Sequence, residues 1–286
     1  MDFACSDLAT ECGIDEGEGI RIRRGEVCGC SITRVRIVTA EAGERFGKPQ
    51  GKYVTLECGN VAELDEKEAE EVGRALSVEI RELAHDMCGK RIGADFSLLV
   101  VGLGNADMTP DALGPQTVKR LCVTRHLRQN GGVPLWTSEL CEIAAIAPGV
   151  TGQTGVDAAE LVRGVVQQTG AELVIAVDAL CARSPARLCA TVQISDTGIQ
   201  PGGGVGNARR ALTKESVGVP VMAMGIPTVI RGRMLVGEEA SSPAPCSKES
   251  KGTDRFLMAP KEIDLVIEKA GLLLAQALEK AFRVEG

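Results

Sequence analysis

The sequence is poor in aromatic residues, which make up only 2% of its 286 residues. A core must therefore be built from aliphatic side chains, and the chain lacks the rings on which single-stranded nucleic acids stack. Basic residues are also in deficit, because 32 lysines and arginines stand against 39 acidic residues and leave a formal net charge of −7. Both absences argue against a nucleic acid as a direct partner.

Long apolar runs and targeting signals are missing as well. No stretch approaches the roughly 20 apolar residues that a membrane-spanning helix requires. The N-terminal stretch, residues 1–20, is polar and acidic and lacks the apolar centre of a secretory signal peptide. The 11 cysteines are odd in number and scattered without a disulfide-like spacing, so we expect reduced thiols. These absences predict a soluble, cytoplasmic protein with no membrane partner.

Residues that bind metals are scarce, since the chain has two histidines, His85 and His126, and no Cys-x-x-Cys spacing. A dedicated metal site is therefore not expected. Cys122 and His126 are four residues apart and would share one face of a helix. Either they form a nucleophile pair or half of a metal site, or they belong to a packed helix face, which is the commoner case.

Three glycine-rich stretches lack the residues that a nucleotide site requires. After Gly102-Leu-Gly104, the third glycine of the dinucleotide fingerprint is replaced by Asp107. Residues 149–155 and 202–207 lack the Lys-Ser/Thr ending of a phosphate-binding loop. We therefore expect no cofactor and interpret these stretches as loops that let a peptide approach the main chain.

What the chain does contain is an alternation of strand and helix patterns. Strands are predicted at Val27–Ala40, Tyr53–Glu57, Phe96–Val101, Ile143–Ala147, Leu173–Val177, Ala190–Ile194 and Val219–Met224. Helices are predicted at Val61–Met87, Pro115–Gln129, Ala158–Thr169 and Ile263–Phe282. A flexible arm is predicted over 1–20, a loop over 41–52 and an exposed loop over 241–252. The alternation predicts one α/β domain with an open, mostly parallel sheet, flanking helices and an N-terminal hairpin.

Two aspartates follow buried strands of this pattern. Asp111 comes shortly after strand 96–101, and Asp178 directly follows strand 173–177. Because ligands of open α/β sheets bind outside the carboxyl ends of strands, we predict that Asp111 and Asp178 meet in one crevice. Two carboxyl groups there would share one proton, since like charge and loss of water oppose ionisation of both. One would activate water and the other would protonate the peptide, as peptide hydrolysis requires.

Each aspartate also has an ordinary structural interpretation. It can cap the following helix or hold its loop through main-chain hydrogen bonds. The residue pattern alone leaves this alternative open for both Asp111 and Asp178. A catalytically silent α/β scaffold with two structural acids is therefore a second hypothesis.

A series of short motifs runs in order along nearly the whole chain. They are Gly102-Leu-Gly-Asn, Thr109-Pro-Asp-Ala-Leu-Gly-Pro115, Val123-Thr-Arg-His-Leu127, Ala147-Pro-Gly-Val-Thr-Gly152, Ala176-Val-Asp-Ala-Leu180, Gln193-Ile-Ser-Asp-Thr-Gly198, Pro201-Gly-Gly-Gly-Val-Gly-Asn207 and Gly218-Val-Pro-Val. This series resembles the germination protease family of spore-forming bacteria.

The resemblance implies an endopeptidase of an unusual aspartic type that degrades small acid-soluble, DNA-coating spore proteins during germination. The two essential aspartates of the family match Asp111 and Asp178 by motif. The resemblance also implies a homotetrameric zymogen of the spore core with a short N-terminal pro-segment. Ser6-Asp7-Leu8-Ala9 resembles the processing junction, so we expect cleavage between Asp7 and Leu8, a pro-segment of 1–7 and one peptidase domain of 8–286.

Substrate-binding residues are expected near the aspartates. Arg183 is the candidate for binding the acidic side chain that the family prefers before the cleaved bond, and the alternative for Arg183 is a structural ion pair. Gly149 and Gly202 are predicted to contact the substrate. The stretch Gly102-Leu-Gly-Asn, followed by an acid and a glycine, is also similar to hydrogenase-maturation peptidases, in which the acids meet a metal of the client enzyme.

Overall fold

The computed structural model describes residues 6–12, 17–129, 139–202, 210–232 and 256–284. These residues form one mixed β-sheet with helices on both faces. The loop predicted at 241–252 lies outside the described residues. No helix within the described ranges is long and apolar enough to cross a membrane.

The elements follow the predicted alternation. The strands are β1 (Ile20–Val27), β2 (Cys30–Ile37), β3 (Gly51–Glu57), β4 (Ser97–Gly102), β5 (Glu142–Ile146), β6 (Leu173–Ala182), β7 (Thr191–Ser195), β8 (Val221–Arg231) and β9 (Leu257–Met258). The α-helices are α1 (Ala40–Phe46), α2 (Glu66–Cys88), α3 (Leu113–Arg120), α4 (Arg125–Gln129), α5 (Thr151–Thr154), α6 (Ala158–Thr169), α7 (Lys214–Val217) and α8 (Ile263–Ala281). Short 3-10 helices lie at Ala9–Glu11, Thr109–Asp111 and Pro185–Arg187. Every predicted strand and helix overlaps an element of this set.

The sheet has a parallel half and an antiparallel half. Its strands lie in the order β1-β2-β3-β7-β8-β6-β4-β5, with β9 beside β8. The neighbours β8, β6, β4 and β5 run parallel, so their carboxyl ends share one edge. Strands β1, β2 and β3 form an antiparallel meander that joins the sheet through β7. The predicted α/β class and the N-terminal hairpin, in which β2 pairs with β3, are confirmed.

The core is aliphatic and lies on both faces of the sheet. Strand β4 is buried at every position, which explains its apolar sequence after Ser97. Helices α2, α3 and α8 cover one face, and α6 and α7 cover the other. A stacked ring pair, Phe96 and Phe282 with centroids 6.0 Å apart, joins the start of β4 to the end of α8. Apart from such rare aromatic contacts, the core on both faces of the sheet consists mainly of Leu, Ile, Val and Ala.

Helix α2 lies where the spacing of apolar residues predicts a helix, but it begins at Glu66 rather than Val61. The cause is a capping box, which sets the first turn. The Asp65 carboxylate accepts the Glu68 N–H at 2.8 Å, and the Glu68 carboxylate accepts the Asp65 N–H at 3.0 Å. The helix ends at Gly89, whose φ of 67° is favourable for glycine.

The segment 41–52 is not entirely a loop, because it contains α1. The Thr39 hydroxyl accepts the Ala42 N–H at 3.2 Å and begins the helix. Gly47, in the left-handed region with a φ of 64°, ends it. With only seven residues, α1 is too short for its apolar spacing to stand out from a glycine-rich loop.

The helix predicted over 115–129 is two helices, α3 and α4, because Thr124 is bound to β5. Its buried hydroxyl donates to the Cys141 oxygen at 2.6 Å and accepts the Ile143 N–H at 2.9 Å. These bonds hold the connection between the helices outside helical geometry. Helix α4 therefore begins after Cys122, and the helical spacing that would pair Cys122 with the exposed His126 is absent.

The prediction of a flexible arm over 1–20 is wrong for residues 6–12, which pack into the domain. Leu8 and Ala9 are both 0% exposed. The Asp7 N–H donates to the Cys181 oxygen at 2.9 Å, and the Cys181 N–H donates to the Asp7 carboxylate at 2.8 Å. These partners lie far along the chain on β6, so local polarity could not reveal them.

Candidate active site

A close approach of three segments positions the loop that carries Asp111. Gly114, in the first turn of α3, lies against Leu103 and Val177, and a methyl group on Gly114 would lie 2.5 Å from the Leu103 nitrogen and the Val177 oxygen. Only glycine permits this approach. Because β4 and β6 are parallel neighbours, α3 begins directly over their carboxyl ends.

We expect Gly114→Ala to destabilise the protein by about 3 kcal/mol, since the new methyl group meets main-chain atoms that cannot move aside. The matched control is Gly164→Ala in α6, where a methyl group would meet nothing within 4 Å. This change should stabilise the protein by about 0.5–1 kcal/mol through helix propensity. Urea unfolding of both variants is the measurement, and a neutral Gly114→Ala would contradict the close approach.

Asp111 ends the 3-10 helix Thr109–Asp111 and is fastened to the sheet edge. Its Oδ2 accepts the Asn105 N–H at 2.7 Å. The preceding Pro110 oxygen accepts the hydroxyl of Thr228 on β8 at 2.7 Å. Asp111 thus holds its own loop, as the structural interpretation predicted, and the bond between Thr228 and Pro110 fastens this loop, which follows the end of β4, to β8.

Asp178 lies within β6 rather than after it, because the strand continues to Ala182. Its side chain is only 6% exposed, and its Oδ1 accepts the Ala179 N–H at 2.9 Å. Asp178 pairs with Gly225 of β8, and Gly225 pairs with Gln193 of β7. Paired residues project from the same face of a sheet. Asp178 and Gln193 therefore face the same side, with no side chain between them.

Asp111 and Asp178 line the same cleft, which has a volume of about 500 Å³. Gly225 of β8, which has no side chain, also lines the cleft. A second part of the lining comes from Lys48, after α1, and from Gln193. The structure thus brings the two predicted aspartates to one cleft, which lies beyond the carboxyl end of β4 and beside the continuing strands β6 and β8.

The N-terminal segment, residues 6–12, enters this cleft. Ser6 and Asp7 line it, and the side chain of Leu8 is fully buried. Farther along the segment, the Glu11 carboxylate accepts the Arg183 N–H at 2.6 Å and the Ser184 N–H at 2.8 Å. Hydrogen bonds at both ends therefore fasten the N-terminal segment to the end of β6.

Two side chains clamp the main chain of the N-terminal segment around Leu8. The Asp7 carbonyl oxygen accepts hydrogen bonds from Gln193 Nε2 at 2.9 Å and from Lys48 Nζ at 3.0 Å. Gln193 Oε1 accepts the Ala9 N–H at 2.6 Å, and Lys48 Nζ also donates to the Ser6 oxygen at 3.1 Å. The predicted processing bond, between Asp7 and Leu8, is thus the one whose carbonyl these side chains bind.

Sequence reasoning missed Lys48 and Gln193 as site residues. A signal for Gln193 was present, since it is a polar residue in a strand predicted to be buried, and it opens one of the quoted motifs. Lys48 gave no such signal, because it lies in a glycine- and proline-rich stretch that reads as an exposed loop. Lys48 becomes a site residue only because the folded chain places the segment from Gly47 to Pro49 along the cleft.

The other predicted site residues are placed unequally. Gly202 lines the cleft, whereas Gly149 does not, although its neighbour Val150 does. Arg183 is also absent from the lining, and its main-chain N–H binds Glu11 instead. Substrate binding by Arg183, Gly149 and Gly202 therefore stays a prediction.

A basic residue that sequence reasoning missed lies near the Asp7 side chain. Burial and, after it, the Asp7 carboxylate raise the pKa of the Cys181 thiol, the Arg231 guanidinium lowers it, and the net result is a pKa of about 12. Asp7 and Arg231 must both be near this thiol to act on it. Arg231 ends β8, so only the pairing of β8 with β6 brings it to this place.

Among the described residues, no group of three or more His, Cys, Asp or Glu side chains is arranged to hold a metal ion. The nine cysteines in these ranges are free thiols. The cleft offers two carboxyl groups, Asp111 and Asp178, beside the N-terminal segment. Carboxyl groups can serve as base and acid in hydrolysis. Fold and site together define an α/β protein with an aspartate-lined cleft that binds a peptide.

The chain belongs to the germination protease family, whose model matches residues 6–239. Membership identifies it as a protease of spore germination. The matched region includes the N-terminal segment, both aspartates and the strands that carry them. The cleft described above therefore lies within the region that the family model matches.

Curated relatives agree with this assignment. The germination protease of Caldanaerobacter subterraneus subsp. tengcongensis is 36% identical over 93% of this chain and 88% of the relative. That of Clostridium acetobutylicum is 32% identical over 99% of this chain and 96% of the relative. That of Bacillus subtilis is 44% identical over 68% of this chain but only 51% of the relative.

Among solved structures, a NiFe hydrogenase maturation protease from Thermococcus kodakarensis is similar to this chain at 15% identity and a TM-score of 0.35. The similarity covers 70% of this chain and 98% of that protein. A hydrogenase 2 maturation peptidase from a Thaumarchaeota archaeon has a TM-score of 0.21. Similarity at this level carries no argument about the chemistry of the cleft.

Proposed function

We propose that this chain is an aspartic-type endopeptidase that begins the degradation of small acid-soluble, DNA-binding spore proteins at germination. One observation carries the proposal: Asp111 and Asp178 line the same cleft as Asp7, the residue before the predicted processing bond. Membership of the germination protease family supports the substrate class. The low exposure of Asp178 supports a shared proton, since burial and like charge both oppose two ionised carboxylates.

In the proposed mechanism, Asp111 and Asp178 together hold one proton. The ionised member removes a proton from water while the water oxygen attacks the peptide carbonyl carbon. The carbon–nitrogen bond then breaks, and the protonated member gives its proton to the leaving nitrogen. The products are a carboxylic acid and an amine, and the pair again holds one proton.

We propose further that the chain is made as a zymogen. The N-terminal segment occupies part of the cleft, so a protein substrate would have to displace it. Cleavage between Asp7 and Leu8 would remove residues 1–7 and leave a peptidase domain that begins at Leu8. Assembly into a homotetramer and action in the spore cytoplasm belong to the same proposal and are supported by the family alone.

The proposed function is tested by incubating the full chain with a purified small acid-soluble spore protein and reading the products by mass spectrometry. We expect internal cleavage after acidic residues and a new N-terminus at Leu8. A basic DNA-binding protein of similar size from a non-spore source is the control and should stay intact.

A chelator separates this proposal from its alternatives. We expect EDTA to leave the cleavage rate unchanged, because both proton transfers use carboxyl groups of the chain. Loss of activity with EDTA and recovery with a divalent metal would favour a metal-linked peptidase. No cleavage under any condition in which the fold is intact would favour a silent scaffold.

A further inference from the structure

The N-terminal segment shows how the cleft binds a peptide. Two of its partners donate hydrogen bonds to the Asp7 carbonyl oxygen, which belongs to the bond proposed to be processed. We propose that Lys48 and Gln193 bind the carbonyl oxygen of the peptide bond that is cleaved and stabilise the negative charge that develops there. This inference rests on the proposed function, because it assigns further residues to the same reaction.

The geometry is that of an oxyanion-binding pair. The Asp7 carbonyl oxygen has Gln193 Nε2 at 2.9 Å and Lys48 Nζ at 3.0 Å. An oxyanion site requires donors about 2.7–3.1 Å from the place that the oxyanion will occupy, and the carbonyl oxygen from which this oxyanion forms already has both donors beside it. Lys48 brings a full positive charge, and hydrogen bonds to charged groups are roughly twice as strong as neutral ones. Both contacts therefore gain strength as the oxygen becomes negative.

Gln193 is held in the orientation that this role needs. Its side chain is only 7% exposed. Its Oε1 accepts the Ala9 N–H at 2.6 Å, so the other end of the amide, Nε2, must point its hydrogens toward the Asp7 oxygen. A donor that is already oriented costs little reorganisation when charge appears.

Gln193 lies on the same face of the sheet as Asp178. Gln193 and Asp178 are separated by one strand at Gly225, so their Cα atoms are about 10 Å apart. Gly225 carries no side chain, and the room above it is part of the cleft. A peptide bond clamped by Gln193 can therefore lie between this residue and the carboxyl of Asp178.

The two pairs divide the reaction between them. When water attacks, the carbonyl electrons move onto oxygen, where Lys48 and Gln193 hold the charge without giving up a proton. When the intermediate collapses, these electrons return, the carbon–nitrogen bond breaks, and the Leu8 nitrogen receives its proton from the aspartate pair. Proton transfer stays with Asp111 and Asp178.

The test is the rate at which the full chain cleaves its own Asp7–Leu8 bond, followed by intact mass. Lys48→Met removes the charged donor, and Gln193→Glu keeps an acceptor for the Ala9 N–H but replaces Nε2 by an oxygen. We expect each change to lower the first-order rate constant about 100-fold. Lys48→Arg retains a charged donor and should recover at least a tenth of the wild-type rate.

Matched controls lie nearby on the same part of the fold. Lys52→Met removes a lysine whose Nζ binds the exposed Asp86, and Gln50→Glu removes an amide donor to the Val38 oxygen. These bonds of Lys52 and Gln50 do not involve the N-terminal segment. Both controls should process at the wild-type rate.

Hydrogen exchange of residues 6–12 separates this role from simple anchoring. Slow cleavage with the Leu8 and Ala9 amides still protected supports the assignment. Slow cleavage with amides that exchange like a free peptide overturns it, because the segment has then left the cleft. Wild-type rates in both variants also overturn it while leaving the proposed function intact. If the wild-type chain cleaves neither itself nor a spore protein, the proposed function itself fails.

Discussion

Asp178→Asn is expected to lower both self-processing and cleavage of a spore protein by about 10²–10⁴-fold. Asparagine has the same shape as aspartate, but its amide cannot act as a base or an acid near neutral pH. Asp111→Asn is expected to have an effect of the same size, because each residue supplies one half of the proton transfer. The measurement is product formation by mass spectrometry over a time course.

The fold of both variants should survive. The Asp178 Oδ1 accepts the Ala179 N–H, and the Asp111 Oδ2 accepts the Asn105 N–H, and an asparagine carbonyl oxygen can accept either bond. The control is Asp107→Asn, an exposed aspartate in the same loop whose Oδ2 accepts Gln153 Nε2 at 3.1 Å. We expect this control to keep about the wild-type rate.

The double variant sharpens this prediction. Residues that act as one unit are strongly non-additive, so Asp111→Asn with Asp178→Asn should be about as slow as either single variant. If the fold-loss of activity in the double variant equals the product of the two single fold-losses, the aspartates act separately. A single variant with wild-type activity and an intact fold would rule out the carboxyl pair.

Alkaline pH is expected to unfold the protein steeply because four thiols are buried. Cys58, Cys141, Cys181 and Cys189 are each less than a tenth exposed. Burial raises the pKa of each thiol from 9.0 to about 12. The folded protein therefore keeps these protons between pH 9 and 12, whereas the unfolded chain loses them.

The sign follows from linkage between protonation and folding. A thiol whose pKa is raised in the folded state contributes its full stability below pH 9, and this contribution is lost as pH rises toward 12. Each thiol loses about 1.4 kcal/mol per pH unit in this window. Four thiols together lose about 6 kcal/mol per pH unit, against a total stability of about 5–15 kcal/mol for a typical protein. We expect unfolding between about pH 10 and 11.5.

Urea unfolding at several pH values between 8 and 11, under reducing conditions, measures this effect. Cys141→Ala should be less stable than wild type at neutral pH, because it leaves a small cavity. Its stability should fall less steeply above pH 9, by about 1.4 kcal/mol per unit. Cys28→Ser, at an exposed position, should follow the wild-type curve. Parallel curves for wild type and Cys141→Ala would contradict the prediction.

The parallel half of the site was predictable from the sequence. Strands β4 and β6 are apolar at nearly every position, so their burial is visible without knowledge of the fold. Parallel strands bring their carboxyl ends to one edge, and this rule predicts that Asp111 and Asp178 lie together. The extension of β6 past Asp178 was not visible, because β8 supplies its partners out to Ile230.

The N-terminal half of the site was not predictable in this way. Residues 6–12 are polar and rich in small side chains, which is typical of a flexible arm. They are ordered because Asp7 and Glu11 find main-chain N–H groups at the end of β6. No local pattern records such a partner.

By itself, the sequence determined the aliphatic core, the α/β alternation and the association of two acids with buried strands, because periodicity and burial follow from the order of neighbouring residues. The motifs also determined the family. Only the tertiary structure decided that Lys48 and Gln193 meet on the Asp7 carbonyl, because β3, which follows Lys48, must first pair with β7, which carries Gln193. Contacts between distant segments depend on strand order and register, which local composition does not encode.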